Sequence, residues 1–302
     1  MIQNYIYILN LSVEIESRTV QEILDVYREK LTRLYSLEET ESLANLIFKE
    51  VLGYDQKDIL LNSDKEVVSG YIIKLNSVLR ELEQGKPVQY VLGYTDFFDV
   101  RLNVNSDVLI PRQETEELVD WIIKDLKELD HYITILDIGT GSACIPIALK
   151  KNLENVHLRA VDVSQEALNV AVSNAEQNDV EIEFVKLDIL NEDDWEMLPK
   201  VNVIVSNPPY VRVSEQSNMH MNVLDNEPRI ALFVTDEDPL MFYDKITDFA
   251  QLNLEKGGSL YFEINEELGE KVTTLLVSKG FQEIELRQDL NGKDRMIKAT
   301  AP

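Results

Sequence analysis

Apolar residues recur every three or four positions through the first quarter of the chain, and then the period shortens. Val20, Ile23, Leu24, Tyr27, Leu31 and Leu34 have the spacing of one face of a helix. A second helix is predicted from Ser42 through Leu52, with Gly53 as its C-cap. Ser63 and Glu66 have the spacing of a capping box, and Ile72, Leu75, Val78, Leu79 and Leu82 carry a third apolar stripe until Gly85 and Pro87 stop it. Residues 1–84 are therefore expected to form a small helical bundle that docks or scaffolds, since its residues suggest no chemistry. Over 85–112 the pattern changes. Phe97-Phe-Asp-Val-Arg-Leu-Asn-Val104 alternates apolar and polar positions, the signature of a strand or hairpin linker, and Ile110-Pro111 ends it.

Residues 113–302 read as a second domain. A helix opens at Glu114 or Thr115 and runs through Ile123. Strand-like runs then alternate with helical ones: strands at 133–138, 157–161, 182–187, 201–205 and 257–264, with helices at 143–151, 164–177 and 266–279. A last pair of strands near 281–287 and 295–300 should close the sheet as a hairpin, placing one antiparallel strand at its edge. Runs of β-branched and apolar residues without alternation mark parallel strands covered on both faces. The expected fold is thus α/β, a doubly wound sheet of seven strands behind a helical bundle and a hairpin linker.

Composition narrows the classes. The single cysteine, Cys144, excludes an internal disulfide and fits a reducing cytoplasm; with only three histidines, no metal site is expected. The run Tyr5-Ile-Tyr-Ile-Leu9 lacks a basic flank and is too short to span a bilayer, so neither a signal peptide nor an anchor is expected. A net charge of −26 repels nucleic acid, which argues against direct DNA or RNA binding. A monomer with no membrane contact is the expectation.

Candidate chemistry gathers at strand ends, where ligands bind in open α/β sheets. The run Val201–Ser206 must stop at Asn207, because Pro208 and Pro209 can donate no ladder hydrogen bonds. The loop Asn207-Pro208-Pro209-Tyr210 suits a planar NH2 group. The Asn207 side-chain oxygen and the Pro208 carbonyl can each accept one N–H, while the Tyr210 ring stacks on the plane. At the first strand end, Asp137-Ile-Gly139-Thr140-Gly141-Ser142-Ala143 forms a glycine turn that lets backbone approach a ligand closely. Asp162, followed by Val163, ends the next strand and is placed to accept from ribose hydroxyls. Asp188 and Ile189 end the third, a carboxylate for an adenine amino group and an apolar side chain for its ring. Cys144 stands where a dinucleotide fingerprint would carry a third glycine, and there is no phosphate-binding lysine motif. The layout fits adenosine without pyrophosphate, hence S-adenosylmethionine over NAD.

These residues resemble the release factor glutamine methyltransferases. The resemblance covers roughly 17–300 and rests on Gly85-Lys-Pro-Val-Gln-Tyr-Val-Leu-Gly-Tyr94, Phe97-Phe98, Val108-Leu-Ile-Pro-Arg-Gln-Glu-Thr-Glu116, Leu136–Ser142, Ser206–Tyr210 and Asn226-Glu-Pro-Arg-Ile-Ala-Leu232. It implies a Rossmann-like methyltransferase sheet and methyl transfer from S-adenosylmethionine to the side-chain amide (N5) of the glutamine in the Gly-Gly-Gln loop of class 1 peptide chain release factors. It implies cofactor contacts at Gly139, Thr140, Gly141, Ser142, Ala143, Asp162, Val163, Asp188, Ile189 and Asn207, and glutamine held by Asn207–Tyr210. Phe97 and Arg112 are added as substrate contacts at the domain junction. Departures are Gln113 where the family has proline, Ala143-Cys144 at the helix start, and residues 1–16, which have no counterpart. Alternatives left open are a glutamine methylase acting on a ribosomal protein, an adenine-N6 nucleic-acid methylase sharing the tetrapeptide, an inactive cofactor-binding adaptor, and an NAD oxidoreductase.

Overall fold

The computed structural model describes residues 18–302, and the apolar run Tyr5–Leu9 lies outside them. The chain divides into two compact units, one ending at Leu92 and one spanning Gly93–Pro302. In the first unit, α1 (Val20–Leu31) starts at a capping box in which Thr19 and Glu22 satisfy each other's backbone N–H. Helix α2 (Leu37–Leu52) begins five residues before the expected start, because Ser36 caps it, and ends at Gly53 in the left-handed region (φ +72°). Helices α3 (Gln56–Leu61), α4 (Ser69–Glu83) and α5 (Val88–Leu92) complete the unit. Its core is Tyr27 edge-on to Phe48 at 5.6 Å, with Leu31, Ile47, Leu75 and Leu82 all buried. The Tyr27 hydroxyl is satisfied there by the Leu75 carbonyl at 2.7 Å.

Two expectations fail in this unit. Ser63 does not cap a helix; α4 starts at Ser69 without a side-chain cap. Residues 63–67 instead pair with the approach to α1: Gln21 N–H donates to the Ser63 carbonyl, Val20 N–H to that of Lys65, and Val67 N–H to that of Arg18. This pairing, with Val67 buried, outweighs a cap on an exposed helix end. The stripe also stops at Leu31, leaving Leu34 exposed beyond the helix.

The second unit opens with a hairpin, β1 (Tyr94–Phe97) and β2 (Val100–Asn103), turning at Phe98 and Asp99, both with positive φ. Helix α6 (Gln113–Leu126) follows, then β3 (Ile133–Ile138), α7 (Cys144–Asn152), β4 (Val156–Asp162), α8 (Gln165–Gln177), β5 (Glu183–Lys186) and β6 (Val201–Ser206). A segment with no regular pattern in the sequence forms short elements: β7 (Val211–Arg212), α9 (Met221–Asn226), α10 (Arg229–Leu232) and β8 (Phe233–Val234). Helix α11 (Met241–Asn253), β9 (Leu254–Glu263), α12 (Gly269–Ser278), β10 (Gln282–Gln288) and β11 (Asp294–Thr300) finish the chain.

The main sheet has seven strands in the order β10-β11-β9-β6-β3-β4-β5. The five from β9 to β5 pair in parallel and β10 points the same way; β11 runs antiparallel to both its neighbours. The antiparallel strand is therefore inserted one place in from the edge, not at the edge as expected. The last strand of the hairpin turns inward and pairs with the apolar β9, and β10 is left outside with exposed polar positions. Leu118, Trp121 and Ile147 cover one face of the sheet, and Tyr243, Phe249, Val272 and Leu276 the other. After β5 the chain returns to the opposite side of β3 to form β6. The switch point of the sheet thus lies between β3 and β6, where Ile138 and Ser206 are register partners and the Ser206 hydroxyl donates to the Ile138 carbonyl at 2.7 Å. Ligand crevices open at such points. Among the described residues no helix is long and apolar enough to cross a membrane.

Candidate active site

A cavity of about 260 Å³ opens at the carboxyl end of the sheet. Gly139 and Gly141 line it from β3, Asp162 and Val163 from β4, Asp188 and Ile189 from β5, and Asn207, Pro208 and Pro209 from β6. Four strand ends far apart in sequence thus converge on one space, with Leu187, Phe242 and Ile246 as apolar walls.

The glycine turn is held open by its backbone. Gly139 (φ +76°) and Gly141 (φ +53°) are in the left-handed region, and a Cβ on either would meet no protein atom within 4 Å, so both face open space. Ala143 shares that conformation (φ +63°) although it carries a side chain; it is fully buried and serves as N-cap residue of α7. Holding a non-glycine there costs backbone strain of about 1 kcal/mol. Thr140 and Ser142 are buried within the turn. Asn174, with none of its surface exposed, donates to the carbonyls of Ser142 (2.9 Å) and Asn103 (3.0 Å) and accepts from Asn103 N–H (2.7 Å), tying turn to hairpin.

Asp162 accepts from Gly141 N–H and from Ser164 N–H, each at 2.9 Å. Burial raises its pKa and these backbone donors oppose the rise, so the carboxylate braces the turn while still bordering the cavity. Asp188 accepts from Leu190 N–H at 3.0 Å, and the carbonyl of the buried Ile189 accepts from the Trp195 indole at 2.9 Å. Asp137 lies beneath the turn with 1 % of its surface exposed, and neither carboxylate oxygen has a hydrogen-bond partner among the described residues. Burial pushes its pKa up to about 7, with the Asp162 charge adding to the rise; the nearby Thr140 hydroxyl opposes it without forming a bond of good geometry.

At the β6 end, the Asn207 amide donates from Nδ2 to Thr115 Oγ1 at 3.2 Å. The Thr115 hydroxyl donates in turn to Glu263 Oε2 at 2.6 Å, and the Tyr210 hydroxyl to Glu263 Oε1 at 3.1 Å. Tyr210 does not line the cavity wall; its ring packs on the apolar core around Tyr243 and its carbonyl accepts from Asn265. Burial, then the Glu263 charge, raises the Tyr210 pKa, so it stays a neutral donor.

Two family models match the chain: the PrmC N-terminal domain over residues 22–93 and the methyltransferase small domain over 118–231. The release factor glutamine methyltransferase of Flavobacterium psychrophilum is 44 % identical over 272 residues, covering 89 % of this chain and 95 % of that protein. Its counterpart of the same name from Bacteroides thetaiotaomicron is 39 % identical over 272 residues, covering 90 % and 96 %. This chain belongs to the release factor glutamine methyltransferase family. Among solved structures, the release-factor-specific protein-(glutamine-N5) methyltransferase of Alicyclobacillus acidocaldarius is 26 % identical, covering 66 % of this chain and 99 % of that one, with a TM-score of 0.42.

In this family member, two residues besides Tyr210 that are expected at the site have other surroundings. Phe97 is 2 % exposed and packs in the core with Leu118 and Trp121, away from the cavity. Arg112 pairs with the buried Glu227 at 2.5 Å, and Glu227 also accepts from Ile110 N–H at 3.2 Å. That pair anchors the loop before α6 to the segment carrying Pro228, Ile230 and Ala231, which do line the cavity. Glu227, Glu263, Thr115 and Asn174 are the residues that sequence reasoning missed. A signal existed for Glu263: a lone carboxylate ending an apolar strand, Leu260-Tyr-Phe-Glu-Ile264, must be buried and so must have partners.

Proposed function

We propose that this protein methylates the side-chain amide nitrogen of the glutamine in the Gly-Gly-Gln loop of class 1 peptide chain release factors, in the cytoplasm, with S-adenosylmethionine as donor. The observation that carries the proposal is the convergence of Asn207–Pro209 with the glycine turn, Asp162 and Asp188 on one cavity at the switch point. The cavity suits an adenosyl sulfonium. Its turn presents two glycines to open space, its walls are apolar, and the carboxylates of Asp162 and Asp188 border it at two further strand ends. Gly139, Thr140, Gly141, Ser142 and Ala143 would shape the floor, Asp162 and Val163 would meet the ribose, and Asp188 and Ile189 the adenine. When bound, S-adenosylmethionine supplies a methyl group on a positively charged sulfur and leaves as S-adenosylhomocysteine.

Everything else falls to the chain's own groups. An amide nitrogen is a poor nucleophile because its lone pair is delocalised into the carbonyl. The Asn207 side-chain oxygen and the Pro208 carbonyl accept the two amide hydrogens, aim the nitrogen at the methyl, and strengthen their bonds as positive charge grows on it. Tyr210 and Pro209 keep the loop rigid, so positioning carries much of the rate. No side chain at 207–210 is a general base; the proton passes to water after the N–C bond forms. The helical unit is proposed to grip the factor. Incubation with labelled S-adenosylmethionine and purified release factor should label the factor, and a factor with Gln→Ala in its Gly-Gly-Gln loop should stay unlabelled. Label on the altered factor would overturn the assignment.

A further inference from the structure

The carboxamide of Asn207 has two faces, and only one is useful. Its oxygen can accept an amide hydrogen, whereas its NH2 pointed at another NH2 would set donor against donor. The chain of contacts behind Asn207 decides between them. Glu263 ends β9, next to β6 in the sheet, and is 1 % exposed. Its two oxygens are each engaged by a hydroxyl, that of Thr115 at 2.6 Å and that of Tyr210 at 3.1 Å. An ionised carboxylate only accepts, so the Thr115 hydroxyl must spend its hydrogen on Glu263. Thr115 Oγ1 then has only lone pairs left for Asn207, 3.2 Å away, and can receive Nδ2 but not Oδ1. Burial pushes the Glu263 pKa up, while the two hydroxyls and the positive charge of Arg295 favour the ionised form and the charge of Glu114 opposes it. The Thr115 bond is the short contact expected for a hydroxyl on a carboxylate.

We infer that Thr115 and Glu263 are positioning residues that lock the Asn207 carboxamide with its oxygen toward the substrate amide. The inference rests on the proposed role of Asn207 as an acceptor. A buried carboxylate costs folding free energy, and here its expense serves the direction of one hydrogen bond two side chains away. Without the relay, Asn207 can turn over, and the flipped form repels the substrate nitrogen.

The test compares Thr115→Val, Thr115→Ser, Asn207→Ala and the double variant Thr115→Val with Asn207→Ala. Readouts are kcat and KM for release factor, the Kd for S-adenosylmethionine by calorimetry, and Tm. Thr115→Val keeps the shape but removes the hydroxyl; kcat should fall about ten- to a hundredfold, the range seen when the partner orienting a functional ligand is lost. The Kd for S-adenosylmethionine should stay within about twofold of wild type, and Thr115→Ser should restore turnover. Where Asn207 is already alanine, adding Thr115→Val should cost no further activity, because the relay then has nothing to orient. If valine lowers Tm at this buried position, Thr115→Ala gives the same comparison. A hydroxyl-free variant with normal kcat, or one that costs the same factor with and without Asn207, overturns the inference. Near-normal turnover of Asn207→Ala alone overturns instead the acceptor role beneath it, so the two failures are told apart.

Discussion

Replacing Asn207 with alanine separates what the side chain does for the fold from what it does for the reaction. Among the described residues its side chain makes one hydrogen bond, from Nδ2 to Thr115 at 3.2 Å, and the residue is half-buried at the cavity wall. Losing one neutral bond costs about 1 kcal/mol of stability. For a unit of this size that lowers Tm by roughly 2–4 °C. The loss in the transition state is larger. An oriented acceptor facing developing charge compares with an oxyanion-hole donor, whose removal costs about 2.7–4 kcal/mol of barrier, or roughly a hundred- to a thousandfold in turnover. The assay is methyl transfer to purified release factor at saturating S-adenosylmethionine, with Tm measured in the same buffer. A variant that folds, binds S-adenosylmethionine normally and turns over within a few-fold of wild type would refute the argument. A collapse of Tm by more than about 10 °C would refute the premise that the side chain is marginal to the fold.

Three further substitutions probe the frame around the site. Asp137→Asn tests the buried carboxyl: its pKa of about 7 in the folded protein lies above the ordinary 3.8. The folded state therefore favours the protonated form, and that stabilisation, full at low pH, is lost as pH rises through about 7. The Tm of Asp137→Asn relative to wild type should climb between pH 5 and pH 8, and a pH-independent difference would contradict it. Gly258→Ala would bring a Cβ to 2.7 Å from the Asn202 carbonyl and 2.9 Å from that of Glu255, both backbone, so the urea midpoint should drop by the equivalent of about 1–3 kcal/mol. An unchanged midpoint would rule that out. Glu227→Gln breaks the ion pair with Arg112; Arg112 reaches solvent, so the unfolding cost should be about 2 kcal/mol, below the ~3–5 of a fully buried pair, and no loss would show the pair to be incidental.

The parts of this protein that can be read from its sequence are those whose physics is local. Buried parallel strands are continuous apolar runs, so Ile133–Ile138 and Val201–Ser206 stand out, and prolines or glycines at their ends mark the loops that form the cavity. The Gly53 cap is equally local. What is not legible depends on partners distant in sequence. Ser63 satisfies a capping pattern, yet its backbone is claimed by the approach to α1 some 40 residues earlier. Nothing near β11 says that it will insert between β9 and β10. Thr115 reads as a helix opener and Glu263 as an odd charge in a strand. The bond between them spans 148 residues, and with the one from Asn207 to Thr115 it appears only once β9 lies beside β6. Phe97 shows the converse: an aromatic at a hairpin tip reads as a contact residue, but it fills the core.

The most direct test of the central claim is to identify the methylated atom. Release factor incubated with this protein and S-adenosylmethionine should gain one methyl group, found by tandem mass spectrometry on the side-chain nitrogen of the glutamine in its Gly-Gly-Gln loop. The gain should be absent with Asn207→Ala over the same time. A methyl group on any other residue, or an equal yield from Asn207→Ala, would contradict the account.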